Sequence, residues 1–133
     1  LGKAESGIAG LAATRWTSDD IDQLRKRESE ISAVAFDTSE NRDTYADAVD
    51  SYHFKIHDMA QSGSVIVWLE GLWRLADFYL WQGAKVNLSS KKVEQANKER
   101  RAIVRALKQR DVKLVESLVE AHVNGKPRRV GVV

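Results

Sequence analysis

The sequence predicts an all-α protein, an antiparallel bundle of about six helices. Three observations predict it. The 133 residues contain one proline, Pro127, so long helices can run without interruption. Apolar residues recur in steps of three and four along most of the chain, and nothing alternates apolar with polar as a half-buried strand would. Between the periodic stretches lie short polar or glycine-bearing segments, "TSDD", "QSGS" and "NG", of the kind that start and stop helices.

The first helix spans about Lys3 to Ala13. The second starts behind "TSDD", where Thr17 or Ser18 can cap and Asp19 and Asp20 suit the positive end of a helix. Ile21, Leu24, Ile31 and Ala35 are its apolar stripe. The third runs from about Asn41 to Ala60 and ends at "QSGS". The fourth, about Val65 to Trp81, carries three of the four tryptophans and is apolar nearly all round except for a strip at Glu70, Arg74 and Asp77. That pattern fits a central buried helix, or one with a face given to a second copy of the chain. The fifth starts behind Ser89 or Ser90 and reaches about Gln109. The sixth runs from Asp111 to Val123 and closes at "NG". Residues 1–125 thus read as one helical domain, and residues 126–133, "KPRRVGVV", as a basic tail.

Composition narrows the function. The 21 basic and 19 acidic residues are interspersed, so no basic stripe marks a nucleic-acid face. With no cysteine there is no disulfide, thiolate metal site or cysteine nucleophile. The run "VIVWLEGLWRLADFYLW" is too short and too charged for a membrane span. The expectation is a soluble cytoplasmic domain. Because the chain opens "LGKAES" with no initiator Met, it also reads as a piece of something longer.

Polar residues interrupt three inward stripes. Helix five has Val93, Ala96, Arg100, Ile103 and Leu107, with an arginine at its centre. Helix six has Val112, Val115, Val119 and His122. Arg100 lies ten residues before the turn at Arg110 and His122 eleven after Asp111, so each sits about 15 Å from that turn and at one height. Helix three has Ala46, Val49, His53, Ile56 and Ala60, with Asp50 and His57 flanking His53 in the segment "DSYHFKIHD". The same arithmetic about Gly63 brings Trp73 level with His53. Three buried polar groups are costly unless something pairs with them. The pairing is either a ligand in a shared hollow or an internal network, with Arg100 bonded to Asp50 or Glu70 and the histidines satisfied by backbone or water.

The element order, the Tyr52-His53 pair, Leu72-Trp73 some twenty residues on, and "ERRAIVRALKQRDVKLVESLVEAHV" (99–123) together resemble a known family. It is the C-terminal effector-binding (FCD) domain of GntR-type transcriptional regulators of the FadR subfamily. The opening "ESGIAGLAATRWTSDDIDQL" resembles that family's first two helices, so the resemblance covers about residues 5 to 123. It implies a homodimeric sensor of a small organic acid, with a winged-helix DNA-binding domain preceding Leu1. In that family an Asp and three His commonly hold a divalent metal. Here His53 and His122 match two of the ligands, Arg100 stands at another His position, and Val49 stands at the Asp position with Asp50 one residue off.

Arginine cannot coordinate a cation, and its charge repels one. The expectation is therefore a metal-free site in which Arg100 binds an anionic metabolite directly. His53 and His122 would donate hydrogen bonds, Trp73 would form a wall, and Asp50 and His57 would lie at the rim. A version holding Zn or Ni on Asp50, His53, His57 and His122 remains open, as does a dimerisation module without ligand. No paired carboxylates at Glu-x-x-His spacing and no activated nucleophile can be named, so no enzyme is expected.

Overall fold

A computed structural model describes residues 1–34, 39–77 and 89–129. Six helices, α1 (Gly2–Arg15), α2 (Ser18–Ala33), α3 (Ser39–Ala60), α4 (Ser64–Asp77), α5 (Ser90–Lys108) and α6 (Val112–Arg129), make up an all-α bundle, with no strand among the described residues.

The sequence signals fix most of the boundaries. Thr17 and Asp20 close a capping box on α2, Thr17 N donating to Asp20 Oδ2 at 2.8 Å and Asp20 N to Thr17 Oγ1 at 3.4 Å. Ser89 caps α5 by accepting from Lys92 N, and Asp111 accepts from Leu114 N at the start of α6. Between α5 and α6 the chain reverses through Arg110, which has φ 56°. Asp111 N reaches back to Ala106 O there, the helix-ending pattern that usually places glycine at the left-handed position. One boundary differs from expectation. α6 does not stop at Asn124-Gly125 but continues to Arg129, while residues 130–133 and the expected end of α4 beyond Asp77 lie outside the described residues. Ala35 of the expected α2 stripe lies outside them too.

The packing places α3 at the middle, against α1 on one side and α2 on the other. α1 runs antiparallel to α6, Ser6 Oγ donating to Glu116 O and Lys3 pairing with Glu120. Their approach is close: a Cβ on Gly10 would come within 3.0 Å of Glu116 Cγ. Helix ends are tied to neighbours by long side chains. Arg15 Nη1 donates to Ala60 O at the end of α3, Trp16 Nε1 to Leu107 O at the end of α5, and Arg110 to Ala13 O and Trp16 O at the end of α1. Cations suit these carbonyl-rich helix ends.

α4 turns a different face inward from the one its composition suggests. Leu69 and Trp73 are buried, but the polar residues Glu70 and Arg74 also lean on α3, Glu70 towards His57 and Arg74 over the Phe54 ring at 4.8 Å. The outward face holds Val65, Val67, Trp68, Leu72 and Leu75, with Val67 73% and Trp68 63% exposed. Among the described residues α4 is not a central buried helix.

Candidate functional site

α3 is the spine of the candidate site. Its inward stripe is Tyr45, Val49, Tyr52, His53, Ile56, Met59 and Ala60, all buried. It begins at Tyr45 rather than Ala46, because the helix turns the 45–49–52–56 row onto its neighbours. Polar side chains meet this stripe in two separate groups.

The first group is built on imidazoles. His53 lies against Trp73 with ring centroids 4.2 Å apart, and stacks on His122 at 5.7 Å. The ten-residue arithmetic about Gly63 places His53 and Trp73 side by side, and so they are. Trp73 Nε1 donates to Asp50 Oδ1 at 2.6 Å, which turns the indole edge towards the N-terminal half of α3. His122 Nδ1 is bonded to Glu99, the residue before Arg100. His57 is fully buried, not on a rim, because Glu5 of α1 reaches across to it. Glu5 is itself 2% exposed, and its two carboxylate oxygens lie 2.7 and 3.0 Å from His57 Nε2. On the other side of the ring, Nδ1 has no hydrogen-bond partner, with Glu70 Oε2 at 3.9 Å.

The second group is Arg100. Its side chain is 2% exposed, and its guanidinium points to Tyr45 and Asn97 rather than to the imidazoles. Nη2 donates to Tyr45 Oη at 3.2 Å and to Asn97 Oδ1 at 2.6 Å. Both partners are neutral. Nε is buried without a hydrogen-bond partner, and among the described residues no carboxylate pairs with the guanidinium. Tyr52 Oη donates to the Arg100 carbonyl at 3.1 Å. Burial pushes the Tyr52 phenol well above its ordinary range and outweighs the lowering by the Arg100 charge, so Tyr52 serves as an uncharged donor. Neither Asp50 nor Glu70, the two carboxylates that an internal network would have used, bonds to Arg100.

The structure therefore brings His53, His122, Trp73 and Asp50 together and places His57 beside them, its ring 6.4 Å from Trp73. Arg100 and His122 share a level, as the Glu99–His122 bond requires, but the Arg100 head turns away along α5. Sequence reasoning missed Glu5, Tyr45 and Asn97. Glu5 could have been found, since it shares an inward row with Ile8, Ala9 and Ala12. Tyr45 stands one turn before Val49 on the α3 stripe.

The donor set does not suit a divalent metal. Among the described residues no three His, Asp or Glu side chains come together as ligands. Glu5 and Glu99 occupy nitrogens of His57 and His122, Asp50 accepts from an indole, and Arg100 brings no ligand atom to the imidazoles. Among the described residues no helix is long and apolar enough to cross a membrane.

Comparison with known families agrees with this architecture. The model of the FCD domain matches residues 5–125, nearly the whole chain. The chain belongs to the FCD domain family. FCD domains are the effector-binding regulatory domains of GntR-type regulators, and the family is not an enzymatic one. No curated protein sequence matches the chain.

Proposed function

We propose that this FCD domain is the sensor of a GntR-type transcriptional regulator and that it binds a small organic acid at Arg100. One observation carries the reading: a guanidinium 2% exposed with no carboxylate partner among the described residues. Arginine does not shed its proton, so burial cannot neutralise it as it would a lysine or histidine. A buried, unpaired charge is among the most expensive arrangements a core can hold. It makes sense where an anion from outside completes the pair. The imidazoles have internal partners already, so they would shape the compartment and not supply its charge. Effector binding would bias the packing of α3 against α5, and through it the DNA affinity of a winged-helix domain preceding this one.

Thermal unfolding of the chain with and without a panel of organic acids tests this. A binder raises the midpoint by an amount that grows with the logarithm of its concentration over Kd once that ratio exceeds one. Arg100→Ala should abolish the response, and a response that persists unchanged would remove Arg100 as the anchor.

A second feature supports a homodimer within the same reading. Val65, Trp68, Leu72 and Leu75 form an apolar outward face on α4, of the kind that marks an association surface. Sedimentation equilibrium is expected to give twice the chain mass, and a strictly monomeric species would discard that part.

A further inference from the structure

We infer that the Arg100 compartment takes a singly charged monocarboxylate and discriminates against dianions, with Asn97 setting the charge balance that makes it so. The inference rests on the proposed anion site and narrows its ligand class. Every described residue that is hydrogen-bonded to Arg100 enters the account. Tyr45 and Tyr52 are phenols, and burial holds Tyr52 in its neutral form. Asn97 is an amide and carries no charge. Glu28, whose charge reaches Tyr52, is paired with Arg101 at 3.7 Å and accepts from Ser32. Glu5 and Glu99 are bonded to His57 and His122, and Asp50 accepts from Trp73, so none of these carboxylates pairs with Arg100. Among the described residues bonded to Arg100, none carries a charge that offsets the guanidinium.

A trapped water could satisfy Nε, but it would leave that charge uncompensated. One carboxylate neutralises it. A dicarboxylate or a phosphate brings a second negative charge to the same buried guanidinium, and that charge has no cationic partner among the described residues bonded to Arg100. The donors on offer agree with this count. Nη2 is committed to Tyr45 and Asn97, while Nε donates to no protein group. Because a guanidinium only donates, Asn97 must turn Oδ1 to it and so presents its Nδ2–H outward. Arg100 Nε and Asn97 Nδ2 are donors with no accompanying acceptor, which suits carboxylate oxygens and gives a neutral amide or alcohol little advantage.

The experiment uses matched acids of equal chain length: butyrate with succinate, hexanoate with adipate, and octanoate with suberate, titrated into the chain by calorimetry. Monoacids are expected to bind about tenfold or more tightly than their diacid partners. Equal or tighter binding of the diacids overturns the class while leaving an anion site standing. No binding by either series, or by inorganic phosphate, overturns the anion site itself. Asn97→Asp supplies the missing charge from within, at the position that already touches Nη2 at 2.6 Å. The substitution is nearly isosteric, so the fold should survive with an unchanged or higher unfolding midpoint. Monoacid binding should fall at least about tenfold. A folded Asn97→Asp variant that binds monoacids as tightly as the original overturns the charge-balance argument.

Discussion

Among the described residues one lysine and one arginine are buried, and they are treated in opposite ways. Lys55 of α3 is 5% exposed and lies 3.0 Å from Asp20 and 3.1 Å from Asp58. Arg100 of α5 is 2% exposed, and among the described residues its guanidinium has a phenol and an amide as partners and an orphaned Nε. Lys55 ties the start of α2 to α3, through the same Asp20 that caps α2. Its charge is part of the scaffold. Among the described residues no carboxylate offsets the Arg100 charge. Stability and function are separable by this contrast, because a core keeps an unneutralised charge only where something other than folding requires it.

The largest expected loss is at Lys55. Lys55→Met should destabilise the chain by about 1–2 kcal/mol, mostly by leaving the half-buried Asp20 carboxylate without its partner. Urea unfolding at neutral pH measures it. The pH dependence sharpens the assignment. Burial would lower the Lys55 pKa, but the hydrogen bonds it donates to Asp20 and Asp58 override that and raise the value above the ordinary 10.5. Burial would likewise raise Asp20, yet bonds from Thr17 and Lys55 hold it below 3.8. A raised lysine contributes stability that is full below 10.5 and lost as pH climbs through the higher folded value. A depressed aspartate contributes stability that is present above 3.8 and lost as pH falls towards the lower folded value. The difference between wild type and Lys55→Met should therefore form a plateau between those limits and shrink at both ends. A difference that does not vary with pH would assign the loss to packing of the lysine stem.

Arg100 should answer with the opposite sign. Arg100→Met keeps much of the volume and removes the unneutralised charge, so the ligand-free chain should gain about 1–2 kcal/mol. The same variant should lose all stabilisation by organic acids. A clear loss of ligand-free stability would mean that Arg100 holds the scaffold as Lys55 does, and the contrast between the two cations would collapse.

What could be read from the sequence follows from how far each signal reaches along the chain. Helix periodicity needs neighbours three and four apart, so the stripe Val93–Ala96–Arg100–Ile103–Leu107 and the inward His122 were legible and are buried. Turn arithmetic carried that one step further, to the level of His53 and Trp73. It could not give the direction of a long side chain. Arg100 lies at the height of His122, but Asn97 and Tyr45 draw its head elsewhere, and a six-bond reach leaves that choice to tertiary packing. The Glu5–His57 pair joins residues 52 apart, and nothing local marks Glu5 except its place on the buried row of α1. α4 was misjudged for a related reason. Its composition fits a central buried helix or one with a face given to a second copy, and only tertiary packing shows that Glu70 and Arg74 find partners on α3 and leave Val67 and Trp68 outside.

The smallest effect tests a third way of holding a cation. Arg110 is exposed, has no carboxylate partner among the described residues, and sits at φ 56° where glycine would be unstrained. Its guanidinium donates to Ala13 O and Trp16 O and lies 3.8 Å above the Trp16 ring, so helix-end carbonyls and an indole face stand in for an anion. Arg110→Gly relieves the backbone by up to about 1 kcal/mol. It also removes two hydrogen bonds to carbonyls that water can partly replace, each worth about 1 kcal/mol net. The balance should be a loss of about 0.5–1 kcal/mol, small beside Lys55→Met. Because water reaches Arg110 and not Arg100, organic acids should stabilise the Arg110→Gly variant as strongly as the wild type. If they do not, an exposed arginine at the α5–α6 turn is part of the response, and burial is not what distinguishes the anion anchor.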